Sequence, residues 1–210
     1  MREVRLSTMT PLGVICAMPE EIEHLAAVLE TDVGAADSRV GGFAFRKGRL
    51  EDRPVVLVEG GIGKVSAAHV ATLLLDRFGC RGLVLSGVAG GLDPELGIGD
   101  VVVADRLLQH DYGAIVAGDL RHFRPGVTPI GENRQDPVYR LDARLQGDLE
   151  KALTGLVLPP LPRKATGGDT RQPSLRFGTV LTGDQFINCE ATRLRLFERF
   201  RAQAVEMEGA

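Results

Sequence analysis

Residues 12–29, LGVICAMPEEIEHLAAVL, decide the fold class. The first six form a short, continuous apolar run, which reads as a buried strand. Pro19 follows and suits a first helical position, where its missing N–H has no intrahelical partner to lose. Ile22, Leu25, Ala26 and Leu29 then recur at helical spacing, with Glu20 and Glu21 in the first turn, where the helix dipole favours negative charge. A buried strand running straight into an amphipathic helix is the opening half of an α/β unit.

Working outward, the pattern repeats. Residues 41–49 and 54–59 (PVVLVE) read as strands, and GGIGK at 60–64 opens a helix over 65–78 that Gly79 closes. Residues 81–89 (RGLVLSGVA) read as a buried strand, 92–100 as a loop and 101–104 as a strand. Periodicity fails over 111–138, which is rich in Gly, Pro and Asp and long enough for a functional or partner-facing loop. A helix is expected over 141–153, a mobile surface loop over 159–174 (PPLPRKATGGDTRQPS), a strand over 175–181 and a helix over 190–200. One more strand begins at 204–207. Strands that are hydrophobic throughout, alternating with helices, predict an α/β sheet covered on both faces. With no internal repeat and no linker, the expectation is a single domain over 1–210.

Composition narrows the function. The chain has 210 residues, net charge −3, 44% apolar and 25% charged residues, which excludes disorder and a coiled coil. Near-neutral, interspersed charge gives no electrostatic case for nucleic acid or a membrane surface. Cys16, Cys80 and Cys189 form no CxxC, and His24, His69, His110 and His122 show no metal-ligand spacing, so no metal is expected. No apolar run is long enough to span a bilayer, and the N-terminus lacks a signal-peptide core. A cytoplasmic protein is the expectation.

Four segments carry candidate chemistry. GGIGKVS (60–66) fails the Walker A spacing at Val58 and the GxGxxG spacing at Ser66, which leaves a tight strand-to-helix turn or a ligand-lining loop. SGVAGG (86–91) follows a strand end, where α/β sheets bind ligands, and residues this small leave room for a purine ring; a plain tight turn is the alternative. Phe186-Ile187, after Gly183-Asp184, offers an aromatic face that alone would more often be core. Glu206-Met207-Glu208 ends an apolar strand. If the strand runs through it, both carboxylates share one face, and there they are costly unless paired or ligand-bound. For Glu21 alone, a solvated first-turn glutamate is the ordinary reading.

Together AMPEEI (17–22), GGIGKVSAA (60–68), SGVAGGLDPELGIGDVVVAD (86–105), TGDQFI (182–187) and VEMEGA (205–210) resemble the purine nucleoside phosphorylase/nucleosidase superfamily, and within it the 5′-methylthioadenosine/S-adenosylhomocysteine nucleosidases. The resemblance implies a three-layer α/β/α sandwich with a central twisted mixed sheet. It implies cleavage of an N-glycosidic bond to adenine and a 5-substituted ribose, without cofactor. Glu21 then matches the residue that activates water. Glu206, Met207 and Glu208 match the ribose-binding segment, with Glu208 on the 2′- and 3′-hydroxyls. Phe186 matches the purine-stacking residue, Ile187 the one whose backbone reads the base edge, and Val88, Ala89 and Gly90 the loop lining the pocket.

Two departures matter. Val88 stands where the family usually has Ser or Thr, a hydroxyl that helps phosphorylases hold phosphate, and its loss favours water as nucleophile. The sequence also stops at Ala210, before a further helix and strand and the aspartate that helps to protonate the purine in the family. That implies a truncated chain of poor activity. The competing expectations are a phosphorylase of purine or adenosyl-lipid nucleosides and a non-catalytic nucleoside-binding protein. The family is generally oligomeric, so a homodimer is expected, with Tyr112, Ile115 and Phe123 as apolar contacts.

Overall fold

The computed structural model describes residues 10–31, 37–127 and 135–210, and part of the aperiodic stretch expected at 111–138 lies outside them. The chain divides into two compact units, residues 1–88 and 89–210.

In the first unit the opening segment folds as its pattern dictates, into β1 (Leu12–Cys16) and α1 (Pro19–Val28). Then come β2 (Ser38–Val40), β3 (Phe43–Leu50), β4 (Arg53–Glu59), α2 (Lys64–Asp76) and β5 (Leu83–Leu85), giving a sheet of order β2-β3-β4-β1-β5. β1 runs parallel to β4 and β5, while β3 is antiparallel to its neighbours. Side chains alternate across the pleat. Val14, Cys16, Val55 and Leu57 meet Ile22 and Leu25 of α1 and Leu29 just past its end. Ile15, Val56 and Val58 meet Val70 and Leu74 of α2 on the other face. Helix, sheet and helix form three layers. Gly13 permits this packing, because a Cβ there would fall 2.8 Å from Leu83 and 2.9 Å from Leu74.

Two expectations change here. The strand expected over 81–89 is only three residues long, and Leu83, Val84 and Leu85 are 37–44% exposed instead of buried. Among the described residues β5 is the last strand of its sheet and has a neighbour on one side only. The strand expected from residue 41 starts at Phe43, because Gly41 and Gly42, at φ 58° and 89°, turn the chain from β2 into β3.

The second unit holds β6 (Gly90–Gly91), β7 (Val101–Gln109), β8 (Gly113–Val116), β9 (Asp119–His122), β10 (Tyr139–Arg140), α3 (Ala143–Leu153), α4 (Arg163–Thr166), β11 (Leu175–Thr182), α5 (Glu190–Phe200) and β12 (Ala204–Glu206). Its sheet has the order β10-β7-β11-β12-β6, with β7, β11 and β12 parallel and both edges antiparallel. Leu196, Phe197 and Phe200 of α5 pack on Leu108, Leu181 and Val205 of the sheet. The α/β class with mixed sheets is as expected, with the described strands shared between two five-stranded sheets and the two-stranded sheet β8-β9.

Three further differences have local causes. β7 continues five residues past 104 because a bulge at Asp105 absorbs the break in its apolar pattern. Residues 113–122 form the hairpin β8–β9, closed by Ala117 and Gly118 at positive φ (52° and 89°), the backbone that suits a two-residue hairpin turn. The segment 159–174 is pinned. Leu161 and Arg171 exchange backbone hydrogen bonds, and the Arg171 guanidinium meets Asp100 at 2.7 and 3.0 Å. Phe123, expected at a dimer surface, is buried. Among the described residues no helix is long and apolar enough to cross a membrane.

Candidate active site

In the first unit the carboxyl ends of parallel β4, β1 and β5 point the same way, the end at which such sheets bind ligands. The loops leaving them are tied back to β1: Gly60 N–H donates to Cys16 O (2.7 Å) and Ser86 N–H to Ile15 O (2.9 Å). Glu21, in the first turn of α1, returns its side chain to this end. Its Oε2 accepts from Ala17 N–H (2.7 Å) and Met18 N–H (3.1 Å), the latter being the reciprocal bond of a capping box. Its Oε1 accepts from Val88 N–H (2.9 Å). The carboxylate is half-buried and fixed at both oxygens, and Oε1, with one donor, keeps a lone pair for a water.

Gly87 is what lets the carboxylate lie there. A Cβ at residue 87 would stand 2.7 Å from Glu21 Oε1 and 2.9 Å from its Cδ. Sequence reading passed over Gly87, and its only signal was a glycine inside a loop already singled out. Val88 contributes its backbone, not its side chain, to this arrangement. Nearby, burial and the Glu21 charge push the Cys16 thiol up to about 11, which keeps it protonated and inert at neutral pH.

In the second unit the parallel strands β7, β11 and β12 end at Gln109, Thr182 and Glu206, and β6 lies beside β12 with Gly90 opposite Val205. Ala89 and Gly90 are exposed at this edge. The loop after β11 starts with Gly183 N–H donating to Glu206 O (3.1 Å) and Asp184 N–H donating to the Asp111 carboxylate (2.7 Å). It then presents the two expected residues differently. Ile187 packs against the core under α5, whereas Phe186 is 84% exposed beside an open cavity of about 400 Å³ shared with Asn188, Thr192 and Arg195. An aromatic ring left this exposed at a strand-end loop is what a stacking ligand requires.

β12 stops at Glu206, so Met207 and Glu208 lie in a bend and the expected same-face arrangement of the two carboxylates does not apply. The Glu206 carboxylate accepts from the Thr182 hydroxyl on Oε1, and on Oε2 from Glu208 N–H (2.8 Å) and Gly209 N–H (2.7 Å). Burial pushes the Glu206 carboxyl above its ordinary range, against the pull of these donors. Glu208 accepts from Met207 N–H at 3.2 Å. Thr182 is wholly buried, and no role was read for it from the sequence although TGDQFI was singled out. Among the described residues no group of His, Cys, Asp and Glu could hold a metal ion.

Comparison with known proteins identifies the family and the fold. The phosphorylase superfamily matches residues 11–210. The chain is 47% identical over 198 residues to proteins named 5′-methylthioadenosine/S-adenosylhomocysteine nucleosidase from Mycobacterium bovis and Mycobacterium tuberculosis, a match covering 94% of this chain and 76% of theirs. The fold is similar to the Helicobacter pylori nucleosidase of that name bound to butyl-thio-DADMe-Immucillin-A (TM-score 0.73, 27% identity, 97% of this chain and 77% of that one). It is also similar to a futalosine hydrolase mutant from Helicobacter pylori (TM-score 0.74, 27% identity, 96% and 77%).

Proposed function

The chain belongs to the phosphorylase superfamily, on the branch of the 5′-methylthioadenosine/S-adenosylhomocysteine nucleosidases, and from that premise we propose that it hydrolyses 5′-modified adenine nucleosides to adenine and a 5-substituted ribose. The observation that carries the reading is the Glu21 carboxylate, held by three backbone N–H groups at the carboxyl end of β1.

Breaking the C1′–N9 bond sends its electron pair to the purine, which takes up a proton from solvent, and leaves positive charge on the sugar. A fixed carboxylate stabilises that charge. It also accepts the proton of the water whose oxygen bonds to C1′, and catalysis of this kind contributes typically about 10²–10⁴-fold. Because its donors are backbone groups set by the fold, little reorganisation is needed at the moment of reaction. Glu208 accepts hydrogen bonds from the ribose hydroxyls, each such charge-assisted bond being worth roughly 1.5–3 kcal/mol. Phe186 stacks on the base, and the Ile187 backbone reads its edge, with Ala89 and Gly90 leaving room beside it.

Water, not phosphate, is the nucleophile on this reading, because Val88 offers no hydroxyl and its N–H is already engaged by Glu21. Assayed with 5′-methylthioadenosine, adenine release should proceed at one rate with and without phosphate; a strict phosphate requirement would refute it. The protein works as a cytoplasmic homodimer, supported by free buried thiols at Cys16 and Cys80 and by the β8–β9 hairpin, where Ile115 is 72% exposed and Val116 is also exposed, with exposed Tyr112 just before it.

A further inference from the structure

We propose that Thr182 and Glu206 form a positioning pair that sets the course of the backbone at 206–209 and so aims Glu208, with Glu206 itself making no contact with substrate. The inference rests on the reading of Glu208 as the ribose ligand, and it reassigns a residue expected to bind the sugar directly.

The two residues are directly paired in the parallel ladder of β11 and β12, so their side chains leave the same face of the sheet at its carboxyl end. Thr182 is wholly buried, and a buried hydroxyl needs a partner; it donates to Glu206 Oε1. The other oxygen, Oε2, reaches forward two and three residues to accept the N–H groups of Glu208 and Gly209 at 2.8 and 2.7 Å. A carboxylate that accepts backbone donors ahead of it acts as the cap of a turn, in the manner of Asx and ST motifs. Gly209 fits under it, since a Cβ at that position would already be 3.2 Å from Oε1.

The Glu206 carbonyl adds a fourth tie. It accepts Gly183 N–H at 3.1 Å and so joins the turn to the loop that presents Phe186. Three of the chain's own donors on its carboxylate offset part of the cost of burying Glu206. Glu208, by contrast, follows the end of β12, where its direction depends on the turn that Glu206 closes. Misplacement of a binding group by about 1 Å can cost on the order of 10²-fold in rate, so the turn has kinetic consequences.

A double-mutant cycle tests the proposal, with E206A, E208A and the double variant assayed on 5′-methylthioadenosine and each checked for folding by circular dichroism. Pure positioning predicts that E206A lowers kcat/KM by about 10-fold in the parent, chiefly through KM, but by less than about 2-fold once Glu208 is gone. T182V should reproduce the E206A effect, and it replaces E206A in the cycle if that variant does not fold. T182S and E206Q should retain most activity, because a Gln carbonyl can accept both N–H groups while its amide donates to the Thr182 hydroxyl. Equal losses from E206A in both backgrounds would overturn the proposal, as would an E206Q variant as impaired as E206A beside an unaffected T182V. If E208A alone leaves kcat/KM unchanged, the ribose assignment fails first and the inference falls with it, a pattern distinct from the other two.

Discussion

The backbone N–H of Val88 lies 2.9 Å from Oε1 of Glu21, so the loop after β5 holds the candidate base through its main chain. Side-chain identity at residue 88 should therefore matter little for this contact. V88A is expected to keep turnover within about 3-fold of the parent, whereas Glu21→Gln should lose roughly 10²-fold or more. Gln at this helix position still completes a capping box, so Glu21→Gln should fold normally. Steady-state kinetics on both variants, with melting curves as control, checks the contrast.

Gly87 yields a sharper steric prediction. The methyl of Gly87→Ala would meet the Glu21 carboxylate at 2.7–3.0 Å and must displace it or the loop. Turnover should fall by about 10-fold or more with little change in melting temperature, because residue 87 is exposed. A Gly87→Ala protein with parental kcat would show that the carboxylate does not need its present place.

Asp100 predicts an acid-sensitive contact. Burial alone would push its carboxyl up, but hydrogen bonds from the Arg171 guanidinium, the N–H groups of Gly97 and Ser174 and the Ser174 hydroxyl hold it well below the usual carboxylate range. A carboxyl lowered in the folded state stabilises the protein above its unfolded pKa of about 3.9, and that stability is lost as pH falls below it. Asp100→Asn should lower the melting temperature by several degrees at pH 7, and the gap from the parent should shrink below about pH 4. A gap independent of pH would remove the charge from the explanation.

The thiols should separate by environment. Hydrogen bonds from the Thr192 hydroxyl and N–H lower the Cys189 thiol, which is exposed, while burial raises those of Cys16 and Cys80. A maleimide at pH 7 should label Cys189 in the native protein and reach the other two only on unfolding. Mass mapping of the labelled peptides decides it, and early labelling of Cys16 would contradict the packing of β1.

Assembly is checked at the hairpin. Ile115→Asp places a charge on the most exposed apolar side chain of β8 and should weaken the proposed dimer in sedimentation at micromolar concentration. A parental protein that sediments as a monomer would refute the dimer. Phe123 is not a useful site for this test, because its burial would confound association with folding.

Local pattern made much of this legible in the sequence. α5 spans 190–200 as its apolar spacing predicts, and β1 and α1 follow from one strand-to-helix switch at Pro19. What stayed hidden depends on partners distant along the chain. An apolar run such as Leu83–Leu85 cannot report whether anything covers it, and here it is an exposed edge strand. The polar residues at 105–106 hid the length of β7, because a bulge takes up Asp105 only when β11 lies alongside. The Ala117-Gly118 turn was readable in principle, but the surrounding Gly and Asp masked the short alternation of its strands. Thr182 and Glu206 lie 24 residues apart and meet only through the register of two parallel strands, which no local spacing encodes.

The central claim is that water attacks C1′ with Glu21 as its base. The direct measurement is cleavage of 5′-methylthioadenosine in ¹⁸O-enriched water containing phosphate, with the sugar product analysed by mass spectrometry. The account predicts adenine together with free methylthioribose carrying one ¹⁸O, and no sugar phosphate. A methylthioribose 1-phosphate without the label would contradict it, and so would a nucleoside that binds and is never cleaved.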